Sequence, residues 1–398
     1  MKKKISQAAA FLLSAAMLVL FSAAEYYSAK LPDSITVSSV NEAKIAEYPE
    51  ISLCSVSADK LCENATLSLF GAVPVKKIGI KKAEPPVLAV GGQPFGIKLI
   101  MEGVMVTGLG NVESDSGQPL CPASECGIKV GDIVRSADGN TLMSNSQLQN
   151  VIGESNGRPL ELSVEREGKV FTATLKPVYS SVSDEWKGGM WVRDSIAGIG
   201  TVTFVDKSSG RFGGLGHPIC DSNTGGTVPV HSGEAVPVEI TETKRGERGI
   251  PGELRGRFTN SDSLGSLDTN NEYGIFGQLS VEQLDKICRN TEEYPLGYRQ
   301  DIKKGAAEIY TTVFGSTPQK YSIEIESIDY NSSDCSKNMK IKITDEKLLE
   351  ISGGIVQGMS GSPVIQNGKI IGAVTHVFVS EPSCGYAVFA DSMAEFTS

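Results

Sequence analysis

Histidine, tryptophan and positive charge are all scarce in this chain. Its 398 residues include three histidines and two tryptophans, and 37 Lys and Arg are outnumbered by 47 Asp and Glu, for a formal net charge of −10. Nucleic acids are bound by clustered Lys and Arg, so this acidic balance excludes a nucleic-acid-binding function. No histidine lies near a cysteine pair at the spacing of zinc ligands, and we therefore expect neither a metal site nor a cofactor.

An uncharged stretch follows the first basic residues of the chain. Lys2, Lys3 and Lys4 precede residues 5–24, and about 20 apolar residues are enough to cross a bilayer as a helix. Basic residues before such a run orient the remainder of the chain outward. The segment predicts either a cleaved signal peptide or a retained anchor, and in both cases the folded part is exported.

The eight cysteines are compatible with that export. An even number of cysteines in an exported chain permits disulfides. Cys54 with Cys62 and Cys121 with Cys126 are the close pairs, but the sequence alone cannot choose among the possible pairings.

Residues 25–84 have a mixed composition that predicts a juxtamembrane linker. The segment NATLSLFGAVPVKKIGI within it alternates apolar and polar residues, which indicates one or two β-strands.

The next 90 or so residues follow the order strand, strand, Gly-Asp strand, helix and hairpin. In GIKVGDIVRSADGNTL, Gly131 and Asp132 lead into a strand that turns at Asp138-Gly139. SNSQLQNVIGES predicts a helix capped by Ser144 or Asn145. The following hairpin is expected to turn at Glu167-Gly168.

This order and these residues resemble a PDZ domain. In that family a glycine-rich loop presents backbone N–H groups to a peptide carboxylate, and the peptide adds to the sheet as an extra strand. The alternative is that the glycines of this loop, at positions 91, 92 and 96, form only a tight turn. By resemblance the peptide-binding loop comprises Gly91, Gly92, Gln93, Pro94, Phe95 and Gly96.

From residue 181 onward, short alternating segments separated by turn residues predict an antiparallel barrel or paired barrels. One exception is VEQLDKICRN, which indicates a short helix. Near the C-terminus, PVIQ and KIIGAV flank Asn367-Gly368, a strong hairpin signal.

A candidate nucleophile precedes that hairpin in GGIVQGMSGSP. Ser360 stands between Gly358 and Gly361, and a nucleophilic serine needs a sharp turn with backbone N–H groups aimed at the developing oxyanion. The N–H groups of Gly358 and Ser360 are the candidates for that oxyanion hole. An ordinary serine in a glycine-rich turn would have the same local sequence.

A serine nucleophile also requires a base, and the chain offers His217, His231 and His376. His217 follows a predicted strand in RFGGLGHPICD, where a barrel would present it in a loop. His231 lies beside apolar residues, and His376 occupies a strand position that favours a structural or pocket-lining role. His217 is therefore the best candidate.

GLGHPI, SGGIVQGMSGSP and QNGKIIGAVTHVFV together resemble the family of stage IV sporulation protein B, which are PDZ-containing serine peptidases of the chymotrypsin-like superfamily. The resemblance places the base on His217, the nucleophile on Ser360 and the triad acid on Asp345. Asp345 could equally be a helix N-cap before EKLLEI, and Asp206 and Asp221 remain possible acids.

The resemblance also implies a function. Such peptidases cleave themselves, and their PDZ domain mediates this self-recognition. They also cleave the extracytoplasmic part of a membrane protein similar to stage IV sporulation protein FA. Both cleavages take place in the space between the mother-cell and forespore membranes. This cleavage triggers intramembrane processing of pro-sigma-K. The alternative function is a non-catalytic PDZ scaffold that binds membrane-protein tails.

The expected fold is mostly β, with an N-terminal transmembrane or signal segment, a PDZ domain and a double β-barrel. The expected division of the chain is a signal or anchor in residues 1–24, a linker in 25–84, a PDZ domain in 85–180 and a serine peptidase domain in 181–398.

Overall fold

The structure of the protein is a computed structural model. Most of its regular elements are β-strands, which confirms the predicted mostly β fold. Two closed barrels of six strands carry the C-terminal half, a PDZ domain extends from the first barrel, and a small four-stranded sheet packs on the second. The described residues are 2–38, 44–54, 64–114, 119–259 and 263–397.

Helix α1 (Lys2–Lys30) opens the chain and is long and apolar enough to cross a membrane. Its segment Ala10–Lys30 has a mean hydropathy of 1.6. The apolar side chains of this segment, from Phe11 to Phe21, are exposed. The C-terminal end of the helix is different, because Tyr27 packs edge-on against Tyr48 and donates a hydrogen bond to Glu50.

The predicted linker forms a sheet in the order β1-β4-β3-β2. Leu31, Ile35 and Ile78 are almost fully buried and share one core cluster with Ile309 and Ile325 of the second barrel. The prediction of one or two strands in NATLSLFGAVPVKKIGI is confirmed. The prediction that residues 25–84 form a linker is wrong for the described strands, because their alternating apolar side chains are buried against the second barrel. The strands are β1 (Ser34–Val37), β2 (Ile51–Cys54), β3 (Asn64–Leu69) and β4 (Val73–Lys82).

The PDZ domain is built around helix α3, and its hairpin turns agree with the sequence. Ser144 caps α3, and its hydroxyl accepts a hydrogen bond from the Gln147 N–H. Asp138 and Glu167, each followed by glycine, have the positive φ that such turns require. The elements of residues 87–187, of which β5 packs with the barrels, are β5 (Val87–Val90), β6 (Pro94–Leu109), α2 (Pro122–Glu125), β7 (Ile133–Ala137), β8 (Asn140–Thr141), α3 (Asn145–Glu154), β9 (Leu160–Arg166), β10 (Lys169–Leu175), β11 (Val178–Ser180) and β12 (Glu185–Lys187).

The first barrel shares two of its six strands with the PDZ domain. Strand β6 pairs along its whole length with β13, and the part before residue 102 also pairs with β15 of the barrel. The barrel order is β6-β15-β17-β18-β14-β13, closed by the pairing of β13 with β6. The remaining elements of this half are β13 (Met190–Val205), β14 (Arg211–Gly214), β15 (Val230–Lys244), β16 (Glu253–Phe258), β17 (Gly265–Asn271), β18 (Gly274–Leu279), α4 (Val281–Asn290) and β19 (Glu293–Pro295).

This sharing moves the predicted PDZ loop into the barrel. The N–H groups of Gly91 and Gly92 donate to the carbonyls of Thr203 and Val202, at 2.9 and 2.7 Å. Phe95 is fully buried in the first barrel core. Residues 91–96 therefore cannot present free amides to a peptide, and the assignment of Gly91, Gly92, Gln93, Pro94, Phe95 and Gly96 as the PDZ loop is corrected.

The second barrel closes in the order β20-β21-β22-β25-β24-β23. In β21 the alternating Tyr321, Ile323 and Ile325 point into the core, as the period of two predicts. Asn367 and Gly368 turn the β23–β24 hairpin with φ values of 51° and 71°, which confirms that prediction. The elements are β20 (Gly305–Thr311), β21 (Gln319–Ile328), β22 (Met339–Ile343), α5 (Glu346–Ser352), β23 (Pro363–Gln366), β24 (Lys369–Phe378), β25 (Glu381–Phe389) and α6 (Ala390–Ala394), with a 3-10 turn at Arg299–Asp301.

The close cysteine pair that the structure describes is not bridged. Cys121 and Cys126 are free thiols, and their sulfurs contact the carbonyls of Gly189 and Ala123 instead. Cys62, of the other predicted pair, lies outside the described residues.

The burial of Leu31 makes a testable prediction about the N-terminal sheet. Leu31→Ala should lower the free energy of unfolding by about 2–4 kcal/mol, because it leaves a cavity between the sheet and the second barrel. Urea denaturation of the full-length protein in detergent measures this. Val281, 80% exposed at the start of α4, is the control position, and Val281→Ala should change stability little. An equally small effect of Leu31→Ala would contradict the docking of the sheet.

Candidate active site

The chain between α5 and β23 forms a loop in which two amides are left unpaired. The N–H groups of Met359 and Gly361 donate to main-chain carbonyls at 3.1 and 2.7 Å. The N–H groups of Gly358 and Ser360 donate to no acceptor among the described residues. The two free donors are separated by one residue, the spacing that the sequence predicts for an oxyanion hole.

The directions of these two amides are fixed by the carbonyls on the same peptide planes. The Gln357 carbonyl accepts a hydrogen bond from the Leu254 N–H at 2.8 Å. The Met359 carbonyl accepts from both the N–H and the hydroxyl of Ser362, at 3.0 and 2.7 Å. Because the N–H of a trans peptide points away from its carbonyl, both free amides face away from these anchors. The pair can stabilise a negatively charged oxygen that develops beside Ser360.

Glycine is required on both sides of the serine. Gly358 and Gly361 have φ values of +96° and +95°, in the region where side chains are strained. A Cβ on Gly361 would lie 2.0 Å from the Thr201 carbonyl oxygen, and one on Gly358 would lie 3.0 Å from Leu254 Cβ. The first barrel therefore packs directly on the main chain of this loop.

The hydroxyl of Ser360 donates to the carbonyl of Thr375 on β24, at 2.9 Å. His217 approaches the same place from the first barrel, in the turn that follows β14. A Cβ on Gly216 would lie 2.9 Å from Thr375 Cγ2, which shows how closely this turn packs on β24. The structure thus brings His217 and Ser360 to one seam between the barrels, without a hydrogen bond between them.

A main-chain carbonyl sets the tautomer of His217. Its Nδ1 lies 2.8 Å from the carbonyl oxygen of Pro218. A carbonyl can only accept, so Nδ1 carries the proton and Nε2 is left with its lone pair. This is the tautomer that a general base needs in order to take a proton from a serine hydroxyl.

Both histidines of the seam have lowered pKa values. Burial lowers the pKa of His217, and its hydrogen bond to Pro218 opposes this only in part. His376, whose ring centroid lies 5.1 Å from that of His217, has a pKa lowered to about 4 by burial, by repulsion from the protonated form of His217 and by the charge of Lys337. Both rings are therefore neutral near pH 7. His231, the third candidate, is exposed on β15.

The structure does not bring Asp345 to His217. The Asp345 carboxylate caps α5 by accepting from the Leu348 N–H at 3.0 Å, and it also accepts from the Ser322 N–H. Helix capping, the alternative interpretation of this residue, is thus what the geometry shows. Asp206 accepts from Ser208 and Ser209, and Asp221 pairs with Arg193. In the described part of the chain, none of the three candidate acids bonds to His217.

The PDZ domain contains an apolar groove beside a pair of glycines, the features that the sequence analysis expected at residues 91–96. It has a volume of about 620 Å3 and lies between α3 and the start of β13. Its apolar lining includes Leu148, Ile152, Trp186, Met190 and Val192.

A glycine pair closes one end of this groove. The carbonyls of Gly188 and Gly189 accept from the N–H groups of Ala123 and Gly110, at 2.8 and 3.0 Å. Their own N–H groups meet no acceptor among residues that the structure describes. Two glycines before an apolar strand, here MWV, are the same sequence signal as Gly91 and Gly92, so the sequence alone does not distinguish the two glycine pairs.

No group of three or more His, Cys, Asp or Glu side chains that could hold a metal ion occurs among the described residues.

Comparison with known proteins identifies two regions. Residues 184–394 match a family model described as SpoIVB peptidase S55, and residues 113–166 match a PDZ domain model. The first match covers just over half of the chain.

A curated protein matches one part of the chain. A Bartonella henselae protein named as a zinc metalloprotease is 33% identical over 79 residues, which is 20% of this chain and 22% of that protein. This chain therefore spans about a fifth of the length of that curated relative.

Two solved structures share parts of this architecture. The PDZ domain of an SdrC-like protein from Listeria monocytogenes is 21% identical and covers 23% of this chain and 87% of its own, with a TM-score of 0.19. The thermostable serine protease AL20 from an extremophilic microorganism is 14% identical and covers 51% of this chain and 91% of its own, with a TM-score of 0.31.

The capping role of Asp345 can be separated from a catalytic one. Asparagine caps helices as well as aspartate but carries no charge. Asp345→Asn should therefore keep kcat/KM within about threefold, whereas Asp345→Ala should lower the free energy of unfolding by about 1 kcal/mol. Peptide hydrolysis and urea denaturation measure the two effects. A folded Asp345→Asn protein with activity reduced more than about a hundredfold would show that the carboxylate acts on His217.

The lowered pKa of His217 predicts the acid limb of the pH profile. A general base works only when neutral, so kcat/KM falls as pH drops through the pKa of His217 in the free enzyme. Because burial lowers that pKa, the midpoint should lie below about 6.5, the ordinary value of histidine. His231→Gln is the matched control and should leave the midpoint unchanged. A midpoint above 6.5 would contradict the buried, neutral base.

Proposed function

Because the chain belongs to the SpoIVB peptidase S55 family, we propose that it is the sporulation signalling peptidase which cleaves both itself and a membrane-bound regulator. Family membership makes the chain a serine endopeptidase with a PDZ domain. The proposed substrate is the extracytoplasmic part of a protein similar to stage IV sporulation protein FA. Its cleavage would release an intramembrane protease that processes pro-sigma-K.

Two unpaired amides beside a serine hydroxyl are the observation that carries the catalytic part of this proposal. The Ser360 hydroxyl leaves the Thr375 carbonyl and gives its proton to Nε2 of His217 as its oxygen attacks the scissile carbonyl. The oxyanion that forms accepts hydrogen bonds from the N–H groups of Gly358 and Ser360. His217 then returns the proton to the leaving amine, and water completes the cycle through the same base.

Asp345 has no place in this scheme as it stands. The Pro218 carbonyl holds the His217 tautomer that an acid holds in other serine peptidases, and Asp345 serves the N-terminus of α5. We therefore assign His217 and Ser360 as a catalytic pair, with Gly358 and Ser360 as the oxyanion hole.

The PDZ groove is the proposed site for the tails of substrate and of a second copy of the chain. A peptide would extend β13 at Met190–Val192, and its terminal carboxylate would accept from the N–H groups of Gly188 and Gly189. The apolar lining from α3, including Leu148 and Ile152, would hold its side chains.

Helix α1 accounts for the proposed location. It is long and apolar enough to hold the peptidase at a membrane, with the barrels on the outer side of the mother-cell membrane, facing the forespore. Since the substrate is also proposed to be a membrane protein, anchoring would confine both to one surface and raise their effective concentration.

The nucleophile assignment is tested in the full-length protein, purified in detergent. Ser360→Ala should abolish self-cleavage, cleavage of a co-reconstituted substrate ectodomain, and covalent labelling by a fluorophosphonate. Ser232, an exposed serine of the first barrel, is the control position, and Ser232→Ala should retain all three. Mass spectrometry of the labelled protein should place the label on Ser360.

Different failures have different meanings in this experiment. Undiminished cleavage by Ser360→Ala would refute the nucleophile assignment. Labelling of Ser360 in a wild-type protein that leaves the regulator ectodomain intact would instead retain the peptidase and refute the proposed substrate.

A further inference from the structure

Strand β13 of the first barrel brings two buried threonine hydroxyls to residues 358–361 of the second barrel, which we call the nucleophile loop. Thr201 Oγ1 donates to the Gly358 carbonyl at 2.8 Å, and Thr203 Oγ1 donates to the Gly361 carbonyl at 2.8 Å. The N–H of Thr201 also donates to the Ser360 carbonyl at 3.0 Å. Two residues thus hold three of the four carbonyls between Gly358 and Gly361.

The position of these bonds determines what they restrain. The Ser360 amide lies on the peptide plane between Met359 and Ser360. Thr201 holds the carbonyls of the planes immediately before and after it, those of Gly358 and Ser360. The plane before it is the one most able to rotate, because Gly358 has no side chain and a φ of +96°. The Thr201 hydroxyl therefore opposes a rotation that would turn the oxyanion-hole amides out of line.

The two hydroxyls have no structural need within their own strand. Thr201 and Thr203 are 1% and 0% exposed and alternate with Val202 and Phe204. Valine has almost the same shape as threonine and suits a buried strand better, because it has no hydroxyl to satisfy. Threonine at both positions thus supplies hydrogen bonds whose acceptors lie only in the nucleophile loop.

We propose that Thr201 and Thr203 are positioning residues of the peptidase, which hold the nucleophile loop of one barrel in its reactive shape from the other barrel. They touch neither substrate nor reacting atoms and act through the peptide planes of Gly358, Ser360 and Gly361. The proposal rests on the proposed function, since it assumes that Ser360 is the nucleophile.

The test compares Thr201→Val and Thr201→Ser in the full-length protein with a peptide substrate. Thr201→Val removes the hydroxyl but keeps the shape, and we expect kcat to fall roughly tenfold, the kinetic equivalent of one hydrogen bond. KM should stay within about twofold, because the loss concerns the transition state rather than substrate binding. Thr201→Ser keeps the hydroxyl and should restore kcat.

Thr312 provides a matched control. It is 2% exposed, and its hydroxyl donates to the Gly92 carbonyl at 2.9 Å, so it also joins the second barrel to a main-chain carbonyl, but one that lies outside residues 358–361. Thr312→Val should lower the melting temperature about as much as Thr201→Val while kcat is retained. Equal kcat values for these two variants, per fluorophosphonate-titrated site, would overturn the proposal. Failure of Thr201→Ser to restore kcat would do the same.

Failure of the threonine proposal can be distinguished from failure of the proposed function, because the two are tested with different variants. If Ser360→Ala retained cleavage, the nucleophile assignment would fall before any threonine variant was considered. If Thr201→Val does not fold, Thr203→Val makes the same comparison with the second hydroxyl. In that variant an unchanged kcat overturns the proposal and a roughly tenfold loss supports it.

Discussion

The active site depends on one constraint: every carbonyl of the loop from Gly358 to Gly361 is hydrogen-bonded, and only two of its amides lack an acceptor in the part of the chain that the structure describes. Thr201 and Thr203 of the first barrel donate hydrogen bonds to the carbonyls of Gly358, Ser360 and Gly361, and Ser362 donates to that of Met359. With the carbonyls fixed, the peptide planes cannot turn, and the two free N–H groups keep their direction without a ligand. Preorganised donors of this kind need no rearrangement when charge develops, which is why they are effective in catalysis.

That constraint requires the two barrels to meet without intervening side chains. Gly361 lies against the main chain of Thr201, and Gly216 lies against Thr375, so any larger residue at either position would separate the barrels. The same seam delivers His217 from the first barrel to Ser360 of the second. Strand β13 begins in the PDZ groove and ends at this seam, with no linker between them. The PDZ groove and the first barrel's side of this seam are therefore parts of one continuous sheet.

Local signals in the sequence were sufficient where structure depends on neighbouring residues. Asn367-Gly368, Glu167-Gly168 and the cap at Ser144 are determined by turn and helix chemistry over a few residues, and the structure has each in place. Gly91-Gly92 and Gly188-Gly189 have equivalent local sequences, and only pairing with β13, distant in the chain, decides which pair keeps its amides free. The composition of residues 25–84 predicts a linker for the same reason, since the barrel that buries Leu31 lies more than 200 residues further along the chain.

Local sequence patterns also leave the role of the Asp345 carboxylate open and give no sign that the Pro218 carbonyl bonds His217. A carboxylate before a helix can cap it or orient a histidine, and the sequence pattern is identical in the two cases. A backbone carbonyl has no sequence signature at all. In the structure the Pro218 carbonyl accepts from His217 Nδ1 and the Thr375 carbonyl accepts from the Ser360 hydroxyl, so the proposed base and the proposed nucleophile each have one main-chain partner. When the hydroxyl turns to Nε2 it exchanges one hydrogen bond for another, and the buried Thr375 carbonyl loses this donor, which sets the cost of the step into the reactive arrangement.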